Sequence, residues 1–349
     1  MRYPWKDVKV LVAGGAGFVG SNLTRALLNA GAKKIVVVDN LLSSERENIP
    51  ETRKVRFCEG SIADDDILIN IKDEYDYVFH LATYHGNQSS ICDPLADHEN
   101  NLITTLKLFH WIKDFRRVKK VVYSSAGCAV AEKTYENARP AREDDPISLE
   151  MDSPYSISKI VGEFYAVYFH KQHRLPAVRA RFQNVYGPGE VLGAGKWRGT
   201  PATVWRNVTP TFIYKALKGQ GLPLENSGIA SRDFIYVEDI VEGLMLCALR
   251  GAGGDVYNLA SGSEITIKEL ADLINRLTDN KSRVNYLPRR DWDRSGKRFG
   301  SPEKSKQRLG FEAKTRLEKG LQKTIDWTRD HLDFIEKTMR KHEHLVSLS

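Results

Sequence analysis

The chain has 349 residues, 41% of them apolar and 9% aromatic, enough to bury a sizeable core and to exclude collagenous, mucin-like and wholly disordered readings. At roughly 150 residues per domain, that length suggests about two domains. Its 52 Lys and Arg against 45 Asp and Glu leave a formal charge of +7, spread along the chain. Such a balance suits an anionic substrate; nucleic-acid binders concentrate their charge, so no nucleic-acid partner is expected.

In chain order, short β-branched runs first alternate with longer helical patterns. Residues 8–13 predict a strand and 18–30 a helix, and further strands are predicted at 34–39, 55–58, 77–82 and 120–124. These runs are apolar throughout, as strands covered on both faces are, and the alternation with helices predicts a parallel, doubly wound α/β sheet. Past residue 180 the texture changes. Residues 186–210 hold three prolines, five glycines and two tryptophans without a period, the mark of a functional or disordered loop. Residues 264–276 and 315–335 predict helices, with a basic loop at 289–298 between them, and residues 339–349 are expected to fray.

Cys58, Cys92, Cys128 and Cys247 form no C-x-x-C pair, and a chain of this length needs no disulfide staples, so a reducing, cytoplasmic setting is expected. No apolar run reaches the ~18 residues of a membrane span. Residues 8–20 are too interrupted by glycine for a signal-peptide core. His170-x-x-His173 and His342-x-His344 bring no third ligand at a recognisable spacing, so no metal is expected.

Directly after the first strand, Gly14, Gly17 and Gly20 form G-x-x-G-x-x-G at the opening of the first helix. Glycine permits a tight turn and close approach of backbone to a pyrophosphate, and the helix N-terminus offers that anion unpaired N–H groups. Asp39 ends the second strand, where a carboxylate accepts from a ribose hydroxyl and repels a 2′-phosphate. The pair of signals points to NAD. Further on, Tyr155 and Lys159 stand four residues apart and share a helix face. An adjacent ammonium favours the ionised phenol, which makes a usable base. Ser124 and Ser125 end the fifth strand, and ligands of a doubly wound sheet bind at the C-terminal strand ends, so hydroxyl, phenol and ammonium can converge on the cofactor.

Together these residues resemble the extended short-chain dehydrogenase/reductases, in particular the NAD-dependent nucleotide-sugar epimerases and dehydratases. Arg181 to Pro188, Arg232 to Asp239 and Tyr257 to Ala260 strengthen the resemblance, which runs from about residue 8 to 330. It implies a Rossmann-type sheet with a smaller C-terminal α/β substrate domain. Residues 1–180, with 230–260 returning to them, would bind NAD, 181–229 and 261–335 would bind the sugar nucleotide, and 336–349 would form a tail. By the same resemblance, Gly14, Ala16, Gly17, Phe18, Val19, Gly20, Asp39, Asn40, Ser61, Ile62, Leu81, Ala82 and Lys159 would hold NAD. Asn184 and Arg232, helped by Arg298, would meet the substrate's diphosphate, and residues 207–212 would lie near the nucleotide. Tyr155 and Ser125 would meet the reacting hydroxyl, and His80 would be a core residue. The family also pairs subunits through the helices here near 100–116 and 154–172, which implies a homodimer.

The resemblance leaves the reaction open, and the departures narrow it. Related 4,6-dehydratases follow the hydroxyl residue with Asp-Glu, and the decarboxylases carry a glutamate two positions on. This chain reads Ser125-Ala126-Gly127, so the base for elimination is missing. C4 epimerisation through a 4-keto sugar needs no further group and is the most economical reading. The register is ambiguous, since a shift of one residue puts Ala126 in place of Ser125. Cys128 stands about where plant-type GDP-mannose 3,5-epimerases carry a catalytic cysteine, so the alternatives are enolisation at C3 or C5, or a dehydration, with Cys128 as acid/base. In register with those enzymes' partner lysine the chain has none, although Lys196 lies three residues away. Cys128 as a small packing residue remains equally open. A non-catalytic NAD-binding scaffold is the distant alternative, opposed by the intact Tyr155/Lys159 pair.

Overall fold

The computed structural model describes residues 5–131, 134–196, 201–282, 284–291 and 296–346. β1 (Lys9–Ala13), β2 (Lys34–Asp39), β3 (Val55–Glu59), β4 (Tyr77–His80), β5 (Lys120–Ala126) and β6 (Ala177–Phe182) form most of one sheet. Four short strands, β7 (Asn184–Tyr186), β8 (Pro223–Glu225), β9 (Ser231–Arg232) and β10 (Phe234–Tyr236), lie outside it, and β11 (Val256–Leu259) returns to its edge. The order is β11-β6-β5-β4-β1-β2-β3, parallel at every pairing. The order reverses between β1 and β4, the point at which a doubly wound sheet opens a crevice at its C-terminal strand ends.

Pleating explains why the strands read as unbroken apolar runs. Val10, Val12, Ile35 and Val37 face one layer, with Leu23 and Leu27 of α1 (Phe18–Asn29). Leu11, Ala13, Val36 and Val38 face the other. Both layers are helical, so the two faces of β1 and β2 alike carry apolar side chains. α2 (Asp65–Asn70), α3 (Asn87–Cys92), α4 (Pro94–Asp97) and α5 (Thr104–Ile112) occupy the connections up to β5, and α6 (Pro154–His173) precedes β6. α7 (Val208–Leu217) follows β7, and α8 (Val237–Arg250) joins β10 to β11 and packs with α1.

α6 begins sharply. Ser153 accepts from the Ser156 N–H at its N-cap, Pro154 takes the first turn, and His170, Lys171 and His173 sit favourably in the last. This fixes the register of the residues that reach the crevice.

A smaller C-terminal α/β part contains β12 (Ile265–Thr266), α9 (Ile267–Thr278), β13 (Asn285–Leu287), α10 (Glu303–Leu309) and α11 (Leu317–Asp330). Its core joins Phe212 and Ile213 of α7 to Tyr186, Phe234, Leu270, Ile274, Leu321 and Ile325. The helix expected from 264 starts at Ile267, because Thr266 and Glu269 form a capping box.

Fraying was expected over 339–349; up to Val346 the structure shows helix instead, and 347–349 lie outside the described residues. The run 315–335 divides at His331 and continues as α12 (Leu332–Arg340) and α13 (Glu343–Val346). Ile335, Met339 and Leu345 are buried against Val191, Leu192, Ala194 and Val204. Ile335 and Met339, four residues apart, share one face of α12, and Leu345 joins them from α13, which gives the tail its own apolar anchor.

Candidate active site

The glycine loop makes the cofactor end of the crevice. Gly14 has a φ of +81°, and a side chain there would come within 2.4 Å of the Ala82 nitrogen. A Cβ on Gly20 would lie 2.1 Å from the Gly14 carbonyl oxygen. The turn therefore packs backbone on backbone at the mouth of α1. Asp39 is pinned beside it, accepting from the Ala16 N–H (3.0 Å), the Leu41 N–H (3.0 Å) and the Ser44 hydroxyl (2.9 Å). Burial pushes its carboxyl above the ordinary aspartate range, against those bonds.

Gly14, Gly17, Phe18, Val19, Gly20, Asp39, Asn40, Ser61, Ile62, Leu81 and Ala82 all line one cleft. Ala16 contributes through Asp39 and is not among the described lining residues. The cleft has a cavity volume of about 390 Å³, within the ~300–1,000 Å³ of a ligand site.

The same cleft is lined by Ser124, Ser125, Tyr155, Lys159, Asn184 and Arg298. Tyr155 opens α6, its N–H donating to the Ser90 hydroxyl at 3.1 Å. One turn on, Lys159 is 3% exposed, donates to the Ser124 carbonyl at 3.0 Å and lies 5.7 Å from the centre of the Tyr155 ring. His80 is a core residue, 2.9 Å from the Thr105 hydroxyl. Burial, then the Lys159 charge, depress its pKa to about 3, so it stays neutral.

Pleating sends the two serines opposite ways. Ser124 donates to the His80 carbonyl at 3.0 Å, while Ser125 donates to Glu163 at 2.6 Å. Glu163 lies on α6 one turn beyond Lys159 and is gripped by Arg181 (2.8 and 2.9 Å) and Arg179 (3.2 Å). Burial opposes its ionisation, but Arg181 outweighs that and holds the carboxyl below the ordinary glutamate range. Ser125 thus borders the cleft with its proton already committed.

Arg232 is not among the described lining residues; its guanidinium donates to the Ser231 and Gly296 carbonyls at 2.6 Å each. The backbone of Cys128 forms a short turn after β5, and its side chain lies outside the described residues, as do residues 197–200. Lys196 bonds the Asn40 carbonyl at 3.2 Å, beside the cofactor loop.

Sequence reading passed over His85, Glu190, Arg206 and Arg290, all of which line the cleft. His85 stands edge-on to Tyr155, ring centres 5.8 Å apart, and its Nε2 is 3.3 Å from the Asn207 Oδ1. Burial pushes the Glu190 carboxyl up to about 7, against its bond from Asn207 and the nearby Arg206 charge. These are single residues on irregular segments, where no periodicity singles them out. The nearest thing to a signal is Glu190, a lone acid between Gly-Pro-Gly and an apolar run.

A Rossmann sheet, a glycine loop, an acid at the end of β2 and a Tyr/Lys pair opening onto the same cleft define a nicotinamide-dependent enzyme of the short-chain dehydrogenase/reductase class. The chain belongs to the NAD dependent epimerase/dehydratase family, whose model matches residues 10–260, and NAD is its cofactor. Among solved structures it is similar to the enzyme WbmF of Bordetella bronchiseptica in complex with NAD+ and UDP, at 59% identity, 99% coverage of each chain and a TM-score of 0.90. An epimerase of Methanothermobacter thermautotrophicus is 40% identical over 96% of each chain, with a TM-score of 0.88. The UDP-glucose 4-epimerase of Mycolicibacterium smegmatis is 28% identical over 93% of this chain and 99% of its own. Cys58, Cys92 and Cys247 are free thiols, and among the described residues no helix is long and apolar enough to cross a membrane.

Proposed function

We propose that the protein is a nucleotide-sugar C4 epimerase acting on an NDP-hexose or NDP-hexuronate through a transient 4-keto sugar. The observation that carries this reading is the meeting of Tyr155 and Lys159 with the cofactor loop in one cleft, at a strand end that supplies no carboxylate. β5 ends Ser124-Ser125-Ala126, and the acid that meets Ser125 is consumed by Arg179 and Arg181. A 4,6-elimination needs a base for the C5 proton; hydride transfer and return at C4 does not.

Tyr155, beside the Lys159 ammonium, removes the proton of the sugar hydroxyl. Ser125 gives its own proton to Glu163, so its oxygen keeps lone pairs to accept from that hydroxyl and orient it. NAD, held by the glycine loop and Asp39, would supply the hydride acceptor and donor for that carbon. After the keto sugar has turned its other face, Tyr155 gives the proton back to the carbonyl oxygen. Asn184 and Arg298 hold the diphosphate, and Arg232 supports the Arg298 loop through the Gly296 carbonyl. The likeness to WbmF, solved with NAD+ and UDP, supports a uridine diphosphate as the nucleotide.

The second reading, enolisation at C3 or C5 with Cys128, wants a protonating partner. Lys196, three residues from the register of such a partner, bonds the Asn40 carbonyl instead, which favours C4. Turnover of a sugar-nucleotide panel in deuterated water, followed by NMR and mass spectrometry, separates the two. An isomer without deuterium is expected; deuterium at C3 or C5, or loss of water, would overturn the C4 reading.

Residues 1–180 and 230–260 serve as the cofactor domain in this proposal, and 181–229 with 261–335 as the substrate domain. A cytoplasmic homodimer fits the exposed Ile157, Phe164 and Tyr168 of α6 beside Ile91 and Leu95 of α3 and α4, an apolar face wide enough to pair helices.

A further inference from the structure

The sugar side of the cleft holds a carboxyl that the reaction above does not use. Glu190 follows the Gly187-Pro188-Gly189 turn after β7 and is 8% exposed, yet it lines the cleft. Its Oε1 accepts from the Asn207 side-chain amide. Its Oε2 is buried and meets no donor among the described residues. Leaving such an oxygen unpaired is costly, and folded proteins retain few.

Asn207 adds a second observation. It stands at the N-cap of α7, where an asparagine ordinarily accepts from the first N–H groups of its helix, but it makes no such bond. Its amide is turned into the cleft instead, giving Nδ2 to Glu190 and taking the Nε2–H of His85 on Oδ1. His85 in turn packs edge-on against Tyr155. A helix cap has been given up for a chain of side chains that runs from a buried carboxyl to the ring of the base.

The surroundings say what the remaining oxygen would take. The cation nearest in effect is Arg206, whose guanidinium bonds the Ser43 and Ala194 carbonyls. α1 brings only the neutral Phe18 and Asn22 against the neighbouring Gly189. Glu190 and Asp39 are the acids among the described lining residues, and Asp39 belongs to the cofactor end. An acceptor in such a place takes a neutral donor and rejects an anionic group.

We propose that Glu190 reads the sugar nucleotide: Oε2 accepts from a hydroxyl or amide N–H of the bound substrate, while Oε1 keeps Asn207, and through it His85, turned toward Tyr155. This rests on the sugar-nucleotide reading of the cleft but not on the choice of C4.

The test is Glu190→Gln in the full-length protein. Glutamine keeps the shape and can still accept from Asn207, but it places an NH2 donor where the substrate's donor would go. Binding of UDP-glucose and UDP-N-acetylglucosamine is measured by calorimetry, NAD content by absorbance and folding by thermal melting. Expected is at least a tenfold loss of affinity for whichever UDP-hexose the parent binds, with NAD retained and the melting temperature not lowered. In turnover, KM should rise by more than kcat falls. Parent-like binding by the variant overturns the proposal. A variant that melts well below the parent also overturns it, since the carboxyl is then a structural group. A parent that binds NAD but neither UDP-hexose fails the sugar-nucleotide reading itself, and this inference with it.

Discussion

At the cofactor end of the cleft the ligand meets mostly backbone: a glycine turn packed against the first turn of α1 and the Leu81–Ala82 chain, with one carboxylate, Asp39, held by three donors. The proposed sugar end is lined instead by side chains gathered from distant segments, among them His85, Ser125, Tyr155, Glu190, Asn207 and Arg298. Backbone recognition constrains sequence through shape, so it leaves a motif. Side-chain recognition can be re-staffed one residue at a time on a fixed sheet, and that is how one fold carries different sugar chemistry.

The comparison can be broken most violently at the backbone end. Gly20→Ala forces a methyl to within 2.1 Å of the Gly14 carbonyl, and the turn cannot move without displacing α1 from the sheet. The purified variant is expected to carry no NAD, read by absorbance, and to have no measurable turnover. Tyr155→Phe tests the point where the two ends meet. It should keep NAD, because the phenol oxygen is no part of the cradle, but lose about 10²–10⁴-fold in kcat, the usual worth of a positioned acid or base. Loss of NAD in this variant would mean that the two ends are not separable.

This contrast also explains what could be read from the sequence. Five of the sheet's seven strands were announced by β-branched runs, and Gly14, Gly20, Asp39, Tyr155 and Lys159 by spacing; β6, broken by Arg179 and Arg181, and the short returning β11 were not. His85, Glu190 and Arg290 were not, since a single polar residue on an irregular loop looks the same whether it faces solvent or a cleft. Ser125 was legible as a residue but not as a bond, because its partner Glu163 arrives from α6, 38 residues away. The tail was misread because charge hid its apolar face: Ile335, Met339 and Leu345 are spaced among lysines, arginines and histidines.

Beneath the sugar end, Glu163→Gln leaves Arg181 and Arg179 in a buried site with one neutral partner. Removing one member of such a cluster costs about 3–5 kcal/mol, to be read by chemical denaturation. The sign with pH follows from the depressed carboxyl. Its stabilisation is complete above the ordinary glutamate pKa and is lost as pH falls through the lower folded value, so the parent and variant should converge in acid.

Glu190 should behave in the opposite sense. Its carboxyl is raised from 4.5 to about 7 by burial, so the folded state holds the proton more tightly than the unfolded one. Its contribution is whole below pH 4.5 and is lost as pH rises to about 7. Above that range the parent carries a buried charge, and Glu190→Gln should be more stable by up to about 3 kcal/mol, with the gap closing towards pH 4.5. A gap that does not change with pH would show that Glu190 is not held in this environment.

The smallest effect is expected where the tail crosses to the loop that follows Asp39. Glu45 accepts from the Lys341 ammonium at 2.5 Å and also from the Gly195 N–H at 2.9 Å. Lys341 is 43% exposed, so water competes for its charge and the pair is worth about 0–1 kcal/mol. Lys341→Ala should therefore barely move the melting temperature and leave NAD in place. Met339→Ala removes buried apolar surface from the cluster with Leu192 and Val204 and should cost about 2–5 kcal/mol, as large-to-small core changes do. If the lysine variant proved the more damaging, the tail would be held electrostatically. It would then loosen with added salt, whereas an apolar anchor would not.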